Sequence, residues 1–213
     1  MIRRLLAFAI LLLVAGPVAG EPIPYGDTVK PRQNWRDGAA QYLTGPLPAD
    51  DIYAPKVLTL NNYWGLRQDF KHPWKGTPRY DGFDGNSDGT YAVFADPRYA
   101  ARAIAIALAD WQAEGVVTAA DIAARLNAAD PSLAQAMVEG TGKTVSQPLE
   151  LFDANGPTGR MRLVMANIAR RNLGAGLAPS DSLLATGLEA VRYNRFDQTE
   201  AGFRAWRFTT ETF

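Results

Sequence analysis

Apolar residues spaced three and four apart recur through the middle of the chain and mark out its helices. From Pro97 to Glu114, the residues Tyr99, Ala103, Ile104, Ala107, Leu108 and Trp111 share one face, the spacing of a helix with a buried stripe. Asp96-Pro97 supplies the start, a capping carboxylate followed by proline at the first helical position, and Gly115 the stop. Thr118 with Asp121 three residues on resembles a capping box and opens a second helix through Ile122 and Leu126. Asp130-Pro131 repeats the cap-then-proline pattern ahead of a third, which carries Leu133, Ala134, Met137 and Val138. Fifteen of the thirty-eight residues from Tyr99 to Ala136 are alanine, so these helices can approach closely. Beyond a loop and the Asn155-Gly156-Pro157 turn, a helix near Thr158 to Leu173 aligns Met161, Val164, Met165 and Ile168 and closes at Gly174. A shorter one follows near Ser180 to Ala190. Strand signal is clearest at Thr90 to Phe94. The pattern predicts a mainly α fold, formally α+β, in which a compact Ala-rich helical domain carries a small β element.

The two ends differ from this middle. Met1-Ile2-Arg3-Arg4 leads into the apolar run Leu5 to Gly16, then Pro17 and Val18-Ala19-Gly20, the layout of a secretory signal peptide cleaved after Gly20. The apolar run is shorter than the roughly 20 residues a spanning helix needs, so no stable membrane span is expected after cleavage. Residues 21–56 hold Pro22, Pro24, Pro31, Pro46, Pro48 and Pro55 without a sustained period and read as an extended arm. Against that, Tyr25, Trp35, Tyr42 and Tyr53 are many aromatics for a solvated tether. Residues 57–177 are the expected helical domain. Residues 178–213 add a helix and a tail with Tyr193, Phe196, Phe203, Trp206, Phe208 and Phe213, a pair of strands or a docking segment.

Composition narrows the chemistry. The 213 residues carry 22 basic and 22 acidic side chains, so no overall charge draws the protein to nucleic acid. There is no cysteine and one histidine, His72, which removes thiol catalysis, Cys/His zinc clusters and disulfide scaffolding. An exported chain without cysteine fits a bacterial periplasm or a secreted bacterial protein. No cofactor is called for. Asp84, Asn86 and Asp88 with Gly89 reproduce the first half of a calcium loop, but Ala95 stands where the bidentate glutamate belongs. The segment therefore reads as a polar turn, and no metal is expected. His72, between Lys71 and Pro73, reads as a surface residue.

The densest polar and aromatic stretch is Leu60-Asn61-Asn62-Tyr63-Trp64-Gly65-Leu66-Arg67, followed by Trp74-Lys75-Gly76. From chemistry alone, paired asparagines first suggest a turn that hydrogen-bonds its own backbone. The functional reading is a carbohydrate groove in which Trp64 and Trp74 stack on sugar rings while Asn61, Asn62 and Arg67 bond hydroxyls or carboxylates.

These residues resemble a family of phage virion-associated and bacterial exported proteins that share Asn-Asn-Pro-Gly-Asn-Leu/Ile-Arg, then Trp-x-Gly, a Phe-x-x-Phe strand, a Pro-led helix with Arg-Ala, and a Thr-led helix. Asn61-Asn62 and Leu66-Arg67 match the first element, and Trp74 and Gly76 the second. Tyr91 to Phe94, Pro97 with Arg102-Ala103, and Thr118 to Leu126 match the rest. The likeness runs from about Lys56 to Gly174. It implies a lysozyme-like, lytic-transglycosylase-like fold that acts on peptidoglycan or is held there. Two departures bear on activity: Tyr63-Trp64 replaces Pro-Gly, and Leu58 stands where some members place a glutamate suited to be the general acid. Glycosidic cleavage needs a carboxyl with raised pKa beside the scissile oxygen. Asp69, Asp81, Asp84, Asp88 and Glu114 are the remaining candidates. The expectation is therefore an exported domain that engages peptidoglycan glycan strands with weak or no cleavage, through Asn61, Asn62, Trp64, Arg67 and Trp74. The alternative is a non-enzymatic structural or envelope-interaction protein that docks an envelope or virion protein through its aromatic C-terminus.

Overall fold

The computed structural model describes residues 35–68, 74, 90–174 and 176–192. The expected signal peptide, the tail from Tyr193 to Phe213, His72 and the Asp84–Asp88 turn lie outside the described residues. Within them the elements run α1 (Trp35–Tyr42), β1 (Leu43–Thr44), α2 (Lys56–Thr59), α3 (Pro97–Ala113), α4 (Ala119–Asn127) and α5 (Leu133–Val138). Then come β2 (Phe152–Asp153), β3 (Gly156–Pro157), α6 (Gly159–Leu173), β4 (Ala178–Pro179) and α7 (Asp181–Val191). The fold is mainly helical with a few two-residue strands.

Local signals account for the helix starts. The Asp96 carboxylate accepts from Arg98 N, with Pro97 at the first position of α3. Thr118 Oγ1 accepts from Asp121 N and donates to its carboxylate at 2.6 Å, opening α4. At α5 the cap shifts by two residues. Asp130 accepts from the Ser132 amide and hydroxyl at 3.0 and 2.7 Å, and the helix begins only at Leu133. Asp130 thus stabilises a turn ahead of the helix.

The core centres on α3, whose Ala100, Ala101, Ala103, Ile104, Ala105 and Leu108 are fully buried. Helix α7 packs along it at short range. A Cβ on Gly187 would stand 2.6 Å from Ala101 O and 2.8 Å from Met165 Cε, so only glycine permits the approach. Residue 178 is accordingly no domain boundary, because α7 belongs to the central pair.

The reading of residues 21–56 as an extended arm needs correction over its second half. Trp35, Ala39, Tyr42 and Leu43 join the main core, and β1 pairs antiparallel with β4, Leu43 opposite Pro179 and Thr44 opposite Ala178. Aromatic burial outweighs the extended tendency of the prolines here. The Arg36 guanidinium stacks 4.4 Å above Trp35 and donates to Pro48 O and to Asp51 at 3.0 and 2.8 Å. This pins a loop on which Ile52 and Tyr53 remain 74% and 66% exposed.

The expected strand at Thr90–Phe94 is a second correction. The segment is extended and bonded to residues 60–68, but only Arg67 and Tyr91 form a bridge. Gln68 N donates to Thr90 O, Ala92 N to Leu66 O and Phe94 N to Leu60 O, at 2.9 to 3.1 Å. A regular ladder fails because its partner bends twice, at Asn61 (φ 52°) and Gly65 (φ 66°).

Candidate functional site

The stretch from Leu60 to Leu66 sits at the centre of the protein. Asn61, Asn62, Tyr63 and Trp64 are all 0% exposed. Asn62 acts as a side-chain bridge across the bent pairing: Nδ2 donates to Leu66 O at 2.9 Å and Ala92 O at 2.8 Å, while Oδ1 accepts from Leu66 N at 3.0 Å. Asn61 Nδ2 donates to Phe94 O and Ala95 O, each at 3.2 Å, and its side chain type tolerates the positive φ. The Trp64 indole N–H donates to Met165 O at 2.9 Å, deep in α6. Tyr63 lies beside it, and burial, with Asp96 and Tyr42 adding to it, pushes the phenol above its ordinary range.

These contacts correct the expected site. Asn61, Asn62 and Trp64 are fully buried and direct their N–H groups to backbone carbonyls; Trp64 backs the wall of the cleft described next without being exposed in it. Arg67 and Trp74 remain at the surface. Arg67 is exposed and its Nε donates to Leu126 O at 3.3 Å. Trp74 is half-buried, its indole N–H donating to Arg67 O at 3.3 Å.

A cleft of about 210 Å³ opens next to this segment, where the C-terminal end of α4, the turn before α5 and the C-terminal end of α6 meet. Its apolar wall includes Val57, Leu126 and Leu133, and its polar groups are Asn127, Asp130, Arg171 and Asn172. Gly65 lies on the border, where a Cβ would come 3.2 Å from Asn172 Nδ2; with φ at 66° the position requires glycine. Tyr91 forms another side, and the Lys56 ammonium lies 5.6 Å from its ring centroid. Burial holds the Lys56 pKa below its ordinary value.

Arg171 is held from two sides. Its Nε donates to Ser132 Oγ at 2.9 Å, and its Nη2 lies 3.1 Å from the Asp130 carboxylate. Burial alone would raise the Asp130 pKa, but the Ser132 hydroxyl and amide together with Arg171 outweigh it and hold the carboxyl below the usual carboxylate range. Asp130 is the one acidic side chain lining this cleft among the described residues. A carboxyl so stabilised in its charged form is poorly suited to donate a proton to a glycosidic oxygen at neutral pH.

Of the sequence candidates for a catalytic acid, Asp69, Asp81, Asp84 and Asp88 lie outside the described residues. Glu114 sits at the surface, paired with Arg125 at 2.7 Å. Leu58 is fully buried. Among the described residues no cluster of His, Asp and Glu could hold a metal ion, and no described helix is long and apolar enough to cross a membrane.

In the sequence Asn127, Arg171 and Asn172 carry no functional signature, and Asp130 reads only as a helix cap. The triplet Arg170-Arg171-Asn172 does not stand out, because the same helix already carries Arg160, Arg162 and Asn167. Compared with protein-family models and with curated proteins, the chain matches none.

Proposed function

We propose that this is an exported, lysozyme-like domain that binds peptidoglycan without cleaving it, using the cleft between α4, α5 and α6 together with the surface residues Arg67 and Trp74. The observation that carries the reading is the cleft's polar side. It pairs a fixed guanidinium with two asparagines, while its carboxylate is locked in the charged form by Ser132 and Arg171. Such a site has donors for a ligand and lacks a proton to give it. The motif order around Asn61-Asn62, Trp74-x-Gly76 and the Pro97 and Thr118 helices supports the lysozyme-like assignment, and the basic, apolar, small-residue N-terminus supports export.

Sedimentation with purified sacculi, run beside an assay for released muropeptides, tests this. The expected result is co-sedimentation without release. Release would overturn the non-catalytic reading and direct alanine substitutions to Asp69, Asp81, Asp84 and Asp88.

A second reading, docking of an envelope or virion protein, is favoured by Ile52 and Tyr53. Both are exposed on a loop whose turn is held by Asp50 Oδ1 accepting from their amides at 3.0 and 3.2 Å. Absence of sedimentation would favour it.

A further inference from the structure

The geometry points to a carboxylate site: we propose that the cleft beside Arg171 seats the C-terminal residue of a short peptide. The peptide's α-carboxylate would lie on Arg171 and Asn127, and its side chain against Leu126, Leu133 and Val57. The source of that carboxylate, the peptide stems of peptidoglycan, rests on the function proposed above; the chemistry of the site does not.

Three observations converge. First, Ser132 and Asp130 occupy Nε and Nη2 of Arg171, and Nη1 has no partner among the described residues. A guanidinium fixed along one edge offers its remaining N–H groups without the entropy cost of ordering a free arginine. Second, the asparagines are polarised by their own bonds. Asn127 Oδ1 accepts from Ala129 N at 3.3 Å, leaving Nδ2 as a donor, whereas Asn172 Nδ2 donates to Tyr63 O at 3.3 Å, leaving Oδ1 as an acceptor. A peptide's terminal residue has the complementary set, an anionic acceptor beside one amide N–H. Third, Arg67 bonds Leu126 O at the cleft's rim and so adds a guanidinium to the Arg171–Asp130 pair among the described residues, a balance that favours an anion. The cleft's volume suits one residue rather than a strand.

The test is titration of the whole protein with N-acetyl-D-alanyl-D-alanine, followed by calorimetry and by the side-chain amide signals of Asn127 and Asn172. Saturable binding that shifts both amides is expected, with the carboxamide-terminated peptide weaker by about tenfold, because a charge-assisted bond becomes a neutral one. Arg171→Ala should lower affinity by a similar factor. Asn127→Asp should do so by placing like charge beside the ligand, and it keeps the test valid if loss of Arg171 disturbs the fold. Equal binding of acid and carboxamide would overturn the proposal. Acetate competing as strongly as the peptide would overturn the peptide part, leaving a site for free small carboxylates. Sacculi run in parallel separate the two claims: sacculi bound but peptide ignored defeats this inference alone, and peptide bound but sacculi ignored defeats the peptidoglycan reading alone.

Discussion

Two neighbouring regions carry the same kinds of side chain and do opposite things with them. In the Leu60–Leu66 segment the asparagine amides and the tryptophan N–H close on backbone carbonyls 30 to 101 residues away along the chain. Around the cleft, Asn127, Asn172 and Arg171 each spend part of their hydrogen-bonding capacity on the protein and leave part over. Residue type therefore does not separate structure from recognition; the fate of the last unspent donor does. A buried amide whose N–H groups all bond the backbone holds the fold, and a half-spent amide at a cleft wall is available to a ligand.

Substitutions can break this comparison. Trp64→Ala should have the largest effect, a loss of about 4 kcal/mol in denaturant unfolding, because a fully buried indole leaves a cavity and orphans its bond to Met165. A stability change below about 1 kcal/mol would mean that Trp64 is not the structural anchor described here. Asn62→Ala comes next, at about 3 kcal/mol. It strips partners from the Leu66 amide and from two carbonyls that lie where water is excluded. Arg171→Ala should cost under about 1 kcal/mol, since its side chain is 45% exposed in the pair with Asp130. The contrast between a stability defect at Trp64 and a binding defect at Arg171 is the comparison in measurable form.

Asp130→Asn sharpens it further through pH. Its folded pKa lies below the unfolded value of about 3.9. The contribution of the ionised carboxylate is therefore complete above that value and is lost as the pH falls through the folded pKa. Wild type and Asp130→Asn should differ in stability at neutral pH and converge in acid below about pH 4. A gap that persists at pH 2 would mean that shape, not charge, makes the Asp130 contribution.

Much of the helical scaffold was legible because its signals are local. The Asp96-Pro97 start, the Thr118–Asp121 box, the Ser180 start and the Gly174 stop depend on residues a few positions apart. The turn from Asp130 to Ser132 shows the limit, since cap chemistry was visible but its register was not. The short bridge at Tyr91 was misread as a strand because its partner's bends at Asn61 and Gly65 depend on tertiary bonds. The candidate site was the least legible part. Asn61, Asn62 and Trp64 looked like recognition residues, and only the carbonyls of Ala92, Phe94 and Met165 turn them inward. Arg171 and Asn127 gave no signal, because a helix end normally carries such residues for solvation alone.

The pairing of β1 with β4 also governs when the fold can form. Thr44 Oγ1 reaches Ala178 O across 134 residues, and Ser180 N donates to Tyr42 O at 2.7 Å. During synthesis β1 must wait for its partner until the region around residue 180 leaves the ribosome. Closing so long a loop is slow and comes late. The described core is therefore completed only when β4 meets β1, a long-range closure for which the locally signalled helices cannot substitute.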